Sequence, residues 1–543
     1  MDSKKPLLSI QNLSIPLPAG GDRPYAVENV SYEIFPGEIL CIVGESGSGK
    51  SMSANAIMGL LPDYLKPTGG RILFKGTDLL TQPESRLQAM RGQEIGMIFQ
   101  EPLSALNPLM TVGKQIGEVM QVHDKYPGEQ RKKRVLDLLN FVGLPDPETL
   151  YGVYPFRLSG GQRQRVMIAM ALALEPDLLI ADEPTTALDM TTQAQILALI
   201  ARIQKEKGMG VMFITHDFGV VAEIAHRVAV MEKGILVEQG TAEQVLNRPA
   251  HPYTKRLISS VPHRRMDESA QAEKPAPVLE VRNLRKTYVT GGGMLGKKRV
   301  VNAVDDVSFT VGHGETLGIV GESGSGKSTI GKCLLKLIGL DGGQMLFQGK
   351  DIAPLSEGEF RPMRNNIQMI FQDPFASLNP RHTIGKILTD GPVANGKPRA
   401  QAEARARELL NLVGMDASAY HRYPNEFSGG QRQRIGIARA LALDPKLLVA
   451  DESVSALDVS VQAQVLELLR TLQQKLQIAM IFITHDLRVA AQVCNAVVVM
   501  HRGKIVEYGR PSQIFDAPQN PYTQQLIAAV PGKHWDPTQA ETA

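Results

Sequence analysis

Apolar and polar residues alternate over residues 7–13 and 26–34, and apolar residues then run together over Ile39–Val43. Alternation marks a strand with one covered face, and a short unbroken apolar run marks one covered on both. Pro36-Gly37 supplies the turn between the second and third strands. The pattern then predicts a helix over 52–60 and a strand over 93–99 that ends at Gln100. Helical periodicity follows through 111–154, with Val135, Leu138, Leu139 and Val142 falling on one face. Residues 178–181 form a second buried strand, 193–205 a helix and 211–214 a third buried strand. Residues 228–231 and 235–239 read as a closing hairpin, with a helix from Ala242. Strands alternating with helices imply an α/β fold with a mostly parallel sheet.

The same programme restarts at Val278, so the chain is a tandem duplication. The predicted boundaries are a first domain over 6–263, a linker over 264–277, a second domain over 278–532 and a tail over 533–543. Fourteen linker residues span at most roughly 50 Å. From Gly44 to Gly321 the repeat offset is 277 residues, and from Gln100 to Gln372 it is 272. From Ser159 to Ser428, Asp182 to Asp451 and His216 to His485 it is 269. Insertions therefore sit early in the repeat, one of them the glycine-rich basic loop at 291–299.

Each repeat carries a full G-x-x-x-x-G-K-S phosphate loop between a strand and a helix: Gly44-Glu45-Ser46-Gly47-Ser48-Gly49-Lys50-Ser51, and Gly321-Glu322-Ser323-Gly324-Ser325-Gly326-Lys327-Ser328. Its glycines let backbone N–H groups face phosphates, its lysine reaches the β and γ oxygens, and its serine offers an oxygen to Mg²⁺. Asp182-Glu183 and Asp451-Glu452 end buried strands, where unpartnered carboxylates would cost several kcal/mol. The first acid of each pair suits a metal-bound water and the second an attacking water. His216 and His485 end the next strands as candidate γ-phosphate contacts. The Ser159-Gly160-Gly161-Gln162 and Ser428-Gly429-Gly430-Gln431 turns open helices and suit a terminal phosphate. His251-Pro252-Tyr253-Thr254 and Asn520-Pro521-Tyr522-Thr523 read only as turns before short helices.

With 59 basic and 56 acidic residues, the net charge of +3 argues against a protein that coats nucleic acid. The clusters at 131–134 and 297–299 read as solvated faces. Cys41, Cys333 and Cys494 lack metal or redox spacing and read as small buried side chains in a reducing compartment. No apolar run reaches the roughly 18 residues of a membrane span, so a soluble chain that meets a membrane through a partner is expected.

Taken together, the phosphate loop, strand-end glutamine, Ser-Gly-Gly-Gln turn, acidic pair, Ala-Leu-Asp segment and histidine occur in order, twice. Each half thus resembles an ATP-binding-cassette (ABC) ATPase. The Gly-Glu-Ser loops, the Leu-Asn-Pro after each glutamine (Leu106-Asn107-Pro108 and Leu378-Asn379-Pro380) and the Pro-Tyr-Thr tails are similar to the peptide/nickel/opine importer branch. The resemblance implies two nucleotide-binding domains, each with a P-loop RecA-like core, an antiparallel β subdomain and a helical subdomain. It further implies head-to-tail pairing around two ATP molecules.

On that resemblance one nucleotide meets Gly44, Ser46, Gly47, Gly49, Lys50, Ser51, Met52, Gln100, Asp182, Glu183 and His216, completed by Ser428, Gly430 and Gln431. The other meets Gly321, Ser323, Gly324, Gly326, Lys327, Ser328, Thr329, Gln372, Asp451, Glu452 and His485, completed by Ser159, Gly161 and Gln162. Glu183, Glu452, His216 and His485 are the implied catalytic residues. Ser51, Gln100, Asp182, Ser328, Gln372 and Asp451 are the implied Mg²⁺ ligands. Tyr288 is similarly placed to the family's base-stacking aromatic, with Tyr25 the candidate in the first half. Ser453, where the first repeat has Pro184, and Met170, where the second has Arg439, depart from the pattern without removing a reacting group.

The implied partners are two transmembrane permease subunits and a substrate-binding protein, at the cytoplasmic face of the inner membrane. Peptide is the leading solute. The alternative is a tandem ATPase acting on ribosomes or nucleic acid. The long charged helical connector and the zinc cysteine pairs seen in such relatives are not found here.

Overall fold

The computed structural model describes residues 5–536 except 19, 21, 187, 263–274, 291–298 and 456. Most of the expected linker, the bulk of the glycine-rich loop and the last residues of the tail lie outside the described residues. So do the alanines of both Ala-Leu-Asp segments.

Strand Ile39–Val43 is buried at every position because it lies inside a six-stranded sheet. Its neighbours are Gly210–Thr215 on one side and Arg227–Glu232 on the other, both parallel to it. Leu178–Asp182 and Ile95–Ile98 extend the parallel run, and Ile235–Thr241 closes the far edge as an antiparallel hairpin strand. The second half repeats this order around Thr316–Val320. All parallel strands point one way, so the phosphate loop, Gln100, the acidic pair and His216 follow from one edge of the sheet. That edge is where open α/β sheets bind ligands.

Each half adds a four-stranded antiparallel sheet. In the first half Leu8–Pro16 lies between Tyr25–Ile34 and Gly69–Phe74. The central strand runs past residue 13, where the alternation stops, because a register shift after Ile10 lets its pairing with Tyr25–Ile34 resume beyond Asn12. The helical expectation for 111–154 becomes Val112–Val122, Glu129–Phe141 and Pro147–Tyr151. The helix after the first phosphate loop runs Lys50–Met58, two residues earlier than its periodicity predicts. Gly49 in the left-handed region starts it, and Gly59 in the same region stops it.

The halves exchange apolar residues. Met190, at the start of helix Met190–Lys207, packs in a core of the second half, and Val459, at the matching helix start, packs in a core of the first. Trp535, assigned by the sequence to the tail, packs against the first half and donates its indole N–H to Asn247 Oδ1 at 3.0 Å. Cys41, Cys333 and Cys494 are buried thiols.

Candidate functional site

Each phosphate loop is shaped by left-handed glycines. Gly44 and Gly49 pass so close to the Met231 and Ala26 carbonyl oxygens that a Cβ would sit 2.1 and 2.5 Å from them. Gly47 also has positive φ, and nothing lies within 4 Å of where its Cβ would be, so its outer face is an open cradle. Gly321, Gly326 and Gly324 repeat the arrangement. Within each cradle a buried serine hydroxyl, Ser48 or Ser325, has no hydrogen-bond partner among the described residues. Lys50 Nζ donates to the Gly44 and Glu45 carbonyls at 2.8 and 2.9 Å, and Lys327 to Gly321 and Glu322 at 2.8 and 2.7 Å. Burial lowers both ammonium pKa values, and the surrounding carboxylates only partly restore them. An anionic phosphate in the cradle would relieve that desolvation.

Ser51 donates to Asp182 Oδ1 at 2.9 Å and Ser328 to Asp451 Oδ1 at 3.0 Å. Hydroxyl and carboxylate oxygens are the kind of donor that a hard divalent cation takes. Burial pushes Asp182 and Asp451 above the ordinary aspartate range; the serine hydroxyl works against it and the adjacent glutamate adds to it. Glu183 and Glu452 both hold the left-handed backbone at φ 44, a conformation that non-glycine residues adopt at a cost. Gln100 and Gln372 donate to their carboxylates at 3.1 and 2.7 Å. His216 Nδ1 lies 3.4 Å from Glu183, and His485 Nδ1 3.5 Å from Glu452. Thus glutamine, general-base candidate and histidine meet in each half.

The halves then differ slightly. Thr186 donates to the Glu183 carboxylate at 3.0 Å, whereas Ser455 donates to the Glu452 backbone carbonyl at 3.0 Å. Ser453, where the first half has Pro184, is buried with a hydroxyl that has no hydrogen-bond partner among the described residues.

Ser159 and Ser428 each cap a helix through a reciprocal box with Gln162 or Gln431. Gly161 and Gly430 are needed for packing on Thr192 and Val461, where a Cβ would come within 2.6 and 2.3 Å. Direct hydrogen bonds between a phosphate loop and the opposite half run through the neighbouring helix starts. The Ser46 N–H donates to Asp458 Oδ1 at 3.0 Å, Ser460 donates to the Glu45 carboxylate, and Thr191 donates to the Glu322 carboxylate. A cavity of about 390 Å³ brings Leu188 and Asp189 of the first half to Ser323, Gln372, Glu452 and His485 of the second.

Met52 and Thr329 lie in the first turn of the helices that follow the loops. The register of the antiparallel sheets sets which positions correspond between the two halves. Leu8 pairs with Phe74 and Leu279 with Phe347, so Leu17 is the counterpart of Tyr288, while Tyr25 corresponds to Asn302. Sequence reasoning missed Tyr253 and Tyr522, whose hydroxyls reach the phosphate loops. Their recurrence at the 269-residue offset of the catalytic candidates is the signal that could have found them.

The family model "ABC transporter" matches residues 27–186 and again 304–455. The chain belongs to the ABC transporter family. It is an ATP-binding ATPase of that family, and the glycine cradles and buried lysines of both loops are chemistry suited to phosphate. A second model, "Oligopeptide/dipeptide transporter, C-terminal region", matches residues 237–286 and 506–541, which include both Pro-Tyr-Thr tails. This ABC chain is 48% identical over 532 residues to a peptidoglycan transport ATP-binding protein of Agrobacterium fabrum, covering 97% of this chain and 96% of that one. It is 47% identical over 563 residues to the glutathione import ATP-binding protein of Escherichia coli K12, covering 97% and 89%. Among solved structures, a dimeric bacterial ABC transporter cassette aligns with 43% of this chain and 98% of its own, at 32% identity and TM-score 0.40.

Proposed function

We propose that this chain powers the import of peptides, glutathione-like conjugates or related solutes, working at the cytoplasmic face of the membrane on a pair of permease subunits fed by a substrate-binding protein. The single observation that carries the motor reading is the two-way grip between halves: Asp458 and Ser460 on the first phosphate loop, Thr191 on the second. Such a grip ties the state of each loop to the position of the opposite half. The import reading is supported by the two close relatives and by the transporter C-terminal region. Among the described residues no helix is long and apolar enough to cross a membrane, so the membrane steps belong to partners.

In this reading domains 6–263 and 278–532, joined by 264–277 and followed by 533–543, close on two ATP molecules. Lys50 and Lys327 hold β and γ oxygens, and Ser428 with Gly430 and Gln431, or Ser159 with Gly161 and Gln162, cap the nucleotide gripped by the opposite loop. Ser51, Gln100 and Asp182, and Ser328, Gln372 and Asp451, would hold Mg²⁺, which when bound neutralises phosphate charge. Glu183 and Glu452 orient and deprotonate the attacking water. His216 and His485 bridge that acid to the γ-phosphate.

The test is reconstitution with the permease pair. ATP turnover should rise when the solute-loaded binding protein is added; turnover indifferent to every peptide and conjugate tried would remove the import reading.

A further inference from the structure

Tyr253 and Tyr522 belong to a repeated motif that the catalytic reading leaves without a role. Each opens a short helix, Pro252–Ser259 or Pro521–Ala528, capped by His251 or Asn520. The cap draws in the tyrosine's own N–H, at 3.2 Å to His251 Nδ1 and 2.9 Å to Asn520 Oδ1. The rings are fixed from the side: Arg256 lies over Tyr253 at 5.1 Å, and His501 stacks on Tyr522 at 3.9 Å with planes 13° apart. Each hydroxyl is thereby aimed at a phosphate loop residue far away in sequence, by 208 positions for Tyr253 and 200 for Tyr522. Tyr253 Oη accepts the Glu45 N–H at 3.1 Å, and Tyr522 Oη accepts the Glu322 N–H at 3.2 Å.

Glu45 and Glu322 are junctions. Their N–H groups are bound by the tyrosine of the same half, and their carbonyls accept the catalytic lysine at 2.9 and 2.7 Å. Their carboxylates accept a hydroxyl from the opposite half, Ser460 for Glu45 and Thr191 for Glu322. Fixing the N–H and carbonyl of one residue fixes the orientation of its flanking peptides, and with them where its side chain can reach. Burial raises the tyrosine pKa values, that of Tyr522 to about 12, so both remain phenols at physiological pH.

We propose that Tyr253 and Tyr522 are positioning residues for ATP hydrolysis: each sets the glutamate of its own phosphate loop so that the lysine is aimed at phosphate and the carboxylate is presented to the helix start of the opposite half. The inference rests on the reading that both loops hold ATP. It gives the Pro-Tyr-Thr tails a role in coupling and makes the sequence His/Asn-Pro-Tyr a device that tightens a loop when its partner half arrives.

The test uses the full chain and MgATP turnover in a double-mutant cycle. Tyr253→Phe keeps the ring and deletes only the hydroxyl, and should lower kcat/KM about fivefold, the effect of one hydrogen bond. Ser460→Ala should do likewise, and the two together should cost little more than either alone because both act through Glu45. Tyr253→Phe with Thr191→Ala, which serves the other loop, should multiply instead. Unchanged kcat and KM in Tyr253→Phe, or independent effects of Tyr253→Phe and Ser460→Ala, would overturn the proposal. Absence of ATP turnover in the unmutated chain would instead remove the ATPase reading beneath it.

Discussion

Arg488 holds Asp217 across the two halves, with Nη1 and Nη2 donating to its two carboxylate oxygens at 3.2 and 3.0 Å. The same guanidinium also binds Asp486 of its own half, at 3.2 Å from Nη2 and 3.3 Å from Nε. The counterpart of Arg488 in the first repeat is Gly219, and a Cβ there would lie 2.5 Å from Arg488 Nη1. One cation therefore joins two symmetry-related aspartates beside the two histidines, and the duplication is broken at its own axis. Removing it leaves two mostly buried carboxylates sharing a site. Arg488→Ala should cost about 3 kcal/mol in a urea titration. Burial alone would raise Asp217, yet Arg488 holds it below the ordinary range, so this stabilisation is present above about pH 3.8 and is lost as pH falls further. A variant as stable as wild type at neutral pH would show that the pair contributes nothing.

Glu183 and Glu452 have the same surroundings of glutamine and histidine, so both loops should fire. Glu183→Gln and Glu452→Gln should each lower turnover, the doubly substituted chain by about 10² to 10⁴, with ATP binding retained. Steady-state ATPase assays decide this. A single variant with full turnover would mark its site as silent, and the buried Ser453 hydroxyl, without a hydrogen-bond partner among the described residues, makes the second site the first to inspect.

Leu17, one residue past the end of Leu8–Pro16, is the counterpart of Tyr288, which is 37% exposed with Lys286 Nζ 5.9 Å from its ring centre. Stacking of a base on an aromatic ring is worth about 1–3 kcal/mol. Tyr288→Ala should weaken one of two ATP affinities by that amount in a calorimetric titration, Leu17→Ala should change the other by less, and Leu17→Tyr should tighten it. Equal losses in Tyr288→Ala and Tyr25→Ala would return the stacking role to Tyr25.

His216 and Glu183 form an ion pair whose members shift in opposite directions. Burial disfavours charge on His216, but the Glu183 carboxylate outweighs it and raises the imidazole pKa. Burial likewise pushes Glu183 up, and His216 with Lys50 more than reverses this, to about 2. The histidine's contribution to stability is complete below its ordinary value near 6.5 and is lost as pH rises through the raised one. The glutamate's is complete above 4.5 and is lost on the way down to about 2. Thermal unfolding of nucleotide-free protein should therefore show a melting temperature that falls as pH rises above about 6.5, with a shallower fall in His216→Ala. The same slope in both proteins would exclude the pair as its source.

Much of this arrangement was legible because its chemistry is local. A phosphate loop is eight consecutive residues, and the acids and histidine end apolar runs that can only be buried strands, as Leu178–Asp182 and Gly210–Thr215 are. What was not legible depends on distances between remote segments. Nothing near Arg488 marks it as a cross-half clamp, since an arginine in a short helix reads as a solvated side chain until Asp217 is brought to it. Tyr25 is the nearby aromatic in the first half, but the early insertions change the offset there, and strand register makes Leu17 the counterpart of Tyr288. The Tyr253 hydroxyl is invisible for the same reason, its partner being 208 residues away.

Trapping the full chain with MgADP and vanadate, followed by photocleavage, tests the pairing most directly, because the trapped anion cuts whatever backbone lies against it. The breaks should fall in both phosphate loops and also at Ser159 and Ser428, each turn lying over the nucleotide of the opposite half. Cleavage confined to the loops at 44–51 and 321–328 would contradict the account.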